Sequence, residues 1–125
     1  MVKTKLQVIQ DASFIEAFNL LIKLELPIKT SIQVSQIHKK IAEALLKFEE
    51  SRRLLIEQHA LRENGEIVAN DDHTVKINPA VIEDYKHLYR KLLNEEIELP
   101  QLNMSEFESI KITPKQLTPI LFLFV

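Results

Sequence analysis

One long amphipathic run, from about Thr30 to Arg62, constrains this chain more than any other feature. Apolar residues return at Val34, Ile37, Ile41, Leu45, Phe48 and Leu55, with the small Ala44 and Ser51 beside them. A spacing of three or four residues marks one face of a helix. Neither Gly nor Pro interrupts the run. At 1.5 Å per residue such a helix is roughly 50 Å long. A compact domain of this size has a diameter of only about 36 Å. The helix therefore overhangs a spherical monomer, which predicts either an elongated molecule or a partner that covers the overhang.

Composition narrows the chemistry. At 125 residues the chain has the length of one domain, residues 1–125, with enough apolar content to bury a core. A net charge of -2 gives no general attraction to nucleic acid or anionic lipid. With no cysteine, disulfides and thiol chemistry are excluded. A single Gly cannot build a phosphate cradle or a dinucleotide fingerprint. No apolar stretch approaches the ~20 residues of a membrane span, and the N-terminus lacks the apolar core of a signal peptide.

The flanking segments supply further elements. Lys3 to Ile9 alternates and predicts a short strand. Asp11 or Ser13 is placed to cap helix one, whose stripe is Phe14, Ala17, Phe18, Leu21 and Ile22 and which ends before Pro27. Thr30 or Ser31 is the expected N-cap of the long helix two, and Asn64-Gly65 its left-handed stop. Glu66 to Val68 and Thr74 to Ile77, separated by Asn70 to His73, predict a β-hairpin. Asn78-Pro79 starts helix three, with Val81, Tyr85, Leu88 and Leu92 on one face. Ile97 to Leu99 reads as extended, Ser105 as a cap, and Ile110 to Ile112 as a short strand. The resulting fold is mainly α, in the α+β class: an antiparallel helical hairpin of helices two and three, a small β-hairpin between them, and an N-terminal helix. The expected core is Phe14, Phe18, Leu21, Ile37, Ile41, Leu45, Phe48, Leu55, Val81, Tyr85, Leu88 and Leu92.

Several phrases occur in a recognisable order. Leu26-Pro27-Ile28-Lys29 leads into the long helix, Phe48-Glu49-Glu50-Ser51-Arg52 lies within it, and Glu63-Asn64-Gly65-Glu66-Ile67 follows. Leu92-Leu93-Asn94-Glu95-Glu96-Ile97 then precedes Leu117-Thr118-Pro119. Together they resemble a family of small proteins encoded by tailed bacteriophages and prophages, over about Leu26 to Pro119. The resemblance implies a phage origin, with the infected bacterial cytoplasm or the virion as location. It carries over no catalytic residue. That family ends in an acidic-tipped helix, whereas this chain ends in Leu121-Phe122-Leu123-Phe124-Val125.

Candidate chemistry is sparse. His38, His59, His73 and His87 show no pair at the three- or four-residue spacing that puts two imidazoles on one zinc ion. Asp71-Asp72-His73 lacks the alternating acids, central Gly and closing Glu of a calcium loop, so it reads as a solvated turn. Glu49, Glu50, Arg52, Arg53 and Glu57 form the densest charged patch, which reads as a solvated face or an interface rim. Arg52 falls close to the apolar seam, where a polar residue fixes register or partner choice. Lys39, Lys40, Lys47, Arg52 and Arg53 are interleaved with Glu43, Glu49 and Glu50, which cancel most of the field that phosphate binding needs. The reading is a non-enzymatic protein, without cofactor or metal, that acts by protein–protein association as an accessory factor, an assembly factor or a modulator of a host protein. A homodimer is expected, with Arg52, Leu54, Leu55 and Ile56 as interaction residues and the C-terminal Ile120 to Phe124 contributing. The competing class is a small nucleic-acid-binding protein.

Protein purified without added metal should carry no stoichiometric zinc or calcium, and chelator should leave its thermal unfolding unchanged. Elemental analysis and melting with and without EDTA check this.

Overall fold

The computed structural model describes all residues, Met1–Val125. They form two compact units, Met1–Leu45 with Glu96–Val125, and Leu46–Glu95. The fold is mainly α with a small β component, as expected. No helix is long and apolar enough to cross a membrane.

The first unit begins with strand β1 (Val2–Lys5), paired antiparallel with β4 (Glu96–Leu99) in the register Val2↔Leu99, Lys3↔Glu98, Thr4↔Ile97 and Lys5↔Glu96. Alternation sends Thr4 and Leu99 inward. It leaves Lys3 and Lys5 outward, opposite Glu98 and Glu96, a favourable cross-strand arrangement. The strand expected over Lys3 to Ile9 is thus half strand; Leu6–Ile9 is a helical turn, α1, that buries Leu6 and Ile9. Helix α2 (Ala12–Ile22) starts where expected. The Asp11 carboxylate accepts from the Ser13 amide and hydroxyl, both at 2.9 Å. These bonds hold the Asp11 carboxyl below its ordinary pKa. Phe14, Ala17, Phe18 and Leu21 form the buried stripe.

Helix α3 (Ile28–His59) has 32 residues, about 48 Å at the ordinary rise. Residues 28–45 belong to the first unit and 46–59 to the second. Its start corrects the expected cap. The Ser31 amide donates to the Pro27 carbonyl at 2.9 Å, so the helix begins right after Pro27. Thr30 lies inside the first turn, buried, and its hydroxyl donates to the Glu106 carboxylate at 2.8 Å. Val34, Ile37 and Ile41 continue the buried face.

The C-terminal segment is also part of this core. Thr113 and Gln116 form a reciprocal capping box at α5 (Pro114–Leu117). The chain then returns beside Leu102, whose amide donates to the Leu123 carbonyl at 2.7 Å and whose carbonyl accepts from Val125 at 2.8 Å. Ile120 and Leu123 are fully buried, and Phe122 stacks on Phe14 at 5.9 Å. The segment is therefore not the free interface element that its apolar run suggested. Asn103, rather than Ser105, caps the 3-10 turn Met104–Phe107. Ile110 to Ile112 form no strand; both isoleucines are half-buried in irregular chain.

The second unit folds α4 (Ile82–Leu93) back along the end of α3. Phe48 meets the edge of Tyr89 at 6.3 Å, and His59 lies 5.9 Å from Tyr85. Tyr85 and Tyr89 stack at 6.0 Å. Asn78 accepts from the Ala80 amide and opens a 3-10 turn, Pro79–Val81, ahead of α4.

Between the helices the chain builds more β structure than expected. Asn64 (φ 53°) and Gly65 (φ 80°) do not stop α3, which ends at His59; they turn a hairpin between β2 (Arg62–Glu63) and β3 (Glu66–Ile67). Two consecutive positive φ values are what a two-residue hairpin turn demands. A second hairpin follows, with Ala69 bridged to Val75 across the turn at Asn70–His73; of the expected strand Glu66–Val68, Glu66 and Ile67 pair with β2 instead of with Thr74–Ile77. The two hairpins are closed on each other. Val68 donates to Leu61, Leu61 to Lys76, and Lys76 to Val68, at 2.9, 2.8 and 2.9 Å. Of the expected core, Leu45, Leu55, Val81, Tyr85, Leu88 and Leu92 are only half-buried. In this unit only Phe48 and His59 are buried.

Phe48 is 3% exposed, so Phe48→Ala should destabilise the second unit by about 3–5 kcal/mol through lost burial and a cavity. Equilibrium denaturation followed by a probe in that unit checks this.

Candidate functional site

The charged and apolar residues singled out on the long helix lie on the second unit's part of α3. Arg52 donates to the Glu49 carboxylate through Nη2 at 3.1 Å and weakly through Nε at 3.4 Å. Arg53 donates to Glu57 at 3.0 Å. Glu49 chiefly, with a smaller electrostatic contribution from Tyr89 and Tyr85, holds the Arg52 pKa above its usual value. Arg52 is thus on the α4 side of the helix, at the seam position its spacing indicated, with its charge already answered by its own helix. Leu54 is 46% exposed, while Leu55 and Ile56 are half-buried. The four residues therefore do not form one exposed patch. Leu46, at 74% exposure, is the larger free apolar surface on this stretch.

No residue spacing signals the polar cluster at His59. Its Nδ1 lies 2.9 Å from the Leu55 carbonyl oxygen, and its Nε2 lies 2.8 Å from Oδ2 of Asp84. The His59 side chain is 9% exposed and that of Asp84 64%. Asp84's hydrogen bond, then that of the Leu55 carbonyl, raises the imidazole pKa above its ordinary value against the opposing effect of burial. Histidine–aspartate pairs recur in catalysis, where the second ring nitrogen faces a nucleophile or substrate. Here that nitrogen is bound to a main-chain carbonyl. Neither nitrogen is free to take or deliver a substrate proton in this arrangement. No group of three or more His, Asp or Glu side chains is placed to hold a metal ion.

The first unit carries a different kind of surface. An open groove of about 290 Å³ lies between the end of α2 and the start of α3, lined by Leu21, Ile22, Leu24, Leu26, Ser31, Val34, Ser35 and His38. Its lining is largely aliphatic and includes no carboxylate. Ser31 turns its hydroxyl back to the Leu26 carbonyl at 3.2 Å. On α3, Ile28 and Ile32 stand one turn apart, 81% and 53% exposed. The sequence did contain this signal: Ile28, Ile32 and Ser35 repeat at helical spacing off the core seam, where the stronger apolar repeat of the seam itself masks them.

No family model, curated protein or solved structure matches the chain.

Arg52→Ala should lower stability by less than about 1 kcal/mol, because both members of its ion pair are well exposed. Denaturation of the variant beside wild type checks this; a loss comparable to that of Phe48→Ala would make Arg52 a determinant of helix pairing.

Proposed function

We propose that this is a non-enzymatic, phage-encoded protein that works by protein–protein association, first of all with a second copy of itself. The phage origin follows from the sequence resemblance. The association is carried by one observation: Ile28 and Ile32 are large, adjacent, exposed aliphatic side chains on a regular helix. Such surface favours removal from water at roughly 25 cal/mol per Å².

A two-fold axis beside residue 30 of α3, with the helices antiparallel, sets Ile28 of one copy against Ile32 of the other. The same axis sets Lys29 against Ser31, so no like charges meet directly. The alternative on the second unit is poorer. Setting Leu46 against Leu54 across a two-fold axis places Glu50 on Glu50 and Lys47 on Arg53. Closed two-fold contacts are the commonest form of self-association, and like charges facing each other count against them. The dimer surface is then also the platform from which an accessory or assembly role, or modulation of a host protein, would operate.

Nucleic-acid binding finds less support. Basic and acidic residues balance in the first unit, and acidic residues outnumber basic ones in the second. Neither unit provides the net positive field that phosphate binding requires.

Light scattering coupled to gel filtration should give twice the chain mass of 14.5 kDa. The double variant Ile28→Glu, Ile32→Glu should run at the single-chain mass with its helical content unchanged. Wild type at the single-chain mass at tens of micromolar would overturn the self-association.

A further inference from the structure

We propose that His59 is a proton-operated latch of the second unit, which as an imidazolium ties the end of α3 to the start of α4 and on losing a proton loosens that corner. A neutral imidazole has one N–H and one lone pair, whereas the protonated ring has two N–H groups and no lone pair. The two atoms facing the ring, the Leu55 carbonyl oxygen at 2.9 Å and the Asp84 carboxylate oxygen at 2.8 Å, are both acceptors. Only the charged ring satisfies both. Removing its proton sets a ring lone pair against an oxygen lone pair at one of the two contacts, whichever tautomer forms.

The position of the ring favours the same state. His59 is the basic residue of the last turn of α3, where the helix dipole favours a cation. From α3 itself the ring faces the Leu55 carbonyl. From α4 it faces one charged group, Asp84, and one further titratable group, the Tyr85 phenol, whose pKa burial raises. Through its own main chain, His59 accepts from the Asn78 amide at 2.8 Å, and the Asn78 side chain caps the turn that leads into α4. One residue thus holds both the chain entering α4 and the first turn of α4. His59 is also one of the two buried side chains of its unit, so few other contacts replace it.

The sign of the effect follows from linkage. The folded pKa lies above the unfolded value of 6.5. Stabilisation is therefore fully present below about 6.5 and is lost as pH rises through the higher folded value. The latch is closed below the unfolded value and opens as pH rises through the higher folded one.

Nuclear magnetic resonance on the full chain tests this. At low pH both ring nitrogens of His59 should carry protons, with a titration midpoint above 6.5. Across that midpoint, the amides of Leu61, Lys76, Asn78 and the first turn of α4 should exchange several-fold faster than hydroxide catalysis alone predicts, while buried amides of the first unit show no such excess. In Asp84→Asn the midpoint should fall and the excess exchange should disappear. A His59 midpoint at or below 6.5 would overturn the proposal. So would excess exchange that persists in Asp84→Asn, or that spreads equally through the first unit. The wild-type comparison between units decides the matter even if the variant does not fold.

Discussion

The uninterrupted helix α3 is the constraint on which both units are built. Its seam repeats at three and four residues, through Thr30, Val34, Ile37, Ile41, Leu45, Phe48, Arg52, Leu55 and His59, and the helix has no Gly or Pro at which to bend or stop. Apart from Arg52, the seam is apolar in the middle and polar at both ends. Thr30 is bound there by the Glu106 carboxylate, and His59 by that of Asp84. Each bond ties an end of α3 to a segment distant in sequence. The polar ends also follow the helix dipole: an anion stands by the first turn and a basic residue closes the last. α3 has no side-chain N-cap of the ordinary kind, and Glu106 supplies negative charge to that end from outside the helix.

The interiors of the elements were legible in the sequence, whereas their ends and some of their roles were not. Period alone located the buried faces of α2 and of the first stretch of α3, because burial there follows one stripe. The ends depended on partners far along the chain. Thr30 has the chemistry of a cap, and nothing local reveals that a glutamate 76 residues later takes its hydroxyl. Asn64-Gly65 suits a helix stop and a hairpin turn equally, since both need positive φ. What decides between them is the pairing of the neighbouring residues, with Ala60 bridging to Ile77 as soon as the helix ends. The run Ile120 to Phe124 shows the converse limit. Its hydrophobicity was plain, but whether it covers its own chain or another depends on Leu102 and Phe14, which no local pattern connects to it.

The candidate sites divide in the same way. Arg52 was legible as a polar residue near the seam because its phase is a local property. His59 and Asp84 are 25 residues apart, on different helices, and neither belongs to a spaced motif. A search for metal or catalytic spacing passes over such a pair for a physical reason. Those motifs place ligands so that at least one atom remains free for a guest, whereas His59 spends both nitrogens on its own chain. The cluster therefore connects to stability and its dependence on protons, while the proposed association surface rests on side chains with no polar chemistry at all.

That surface deserves its weight because of what the sequence forgoes there. The first turn of α3 contains no acidic residue, although carboxylates are favoured at a helix N-terminus by about 0.3–1 kcal/mol. Ile28 occupies one of those positions while 81% exposed. It contributes little burial to its own unit, and as a β-branched residue it is a weaker helix former than glutamate. A glutamate at this position would satisfy the helix better and solvate the surface. The isoleucine is thus suboptimal for the isolated chain on three separate physical grounds, and burial in the proposed contact would reverse the balance. The same reasoning makes the position a clean probe. A carboxylate placed at Ile28 favours the helix end and disfavours the proposed contact, so folding and the proposed association would respond in opposite directions.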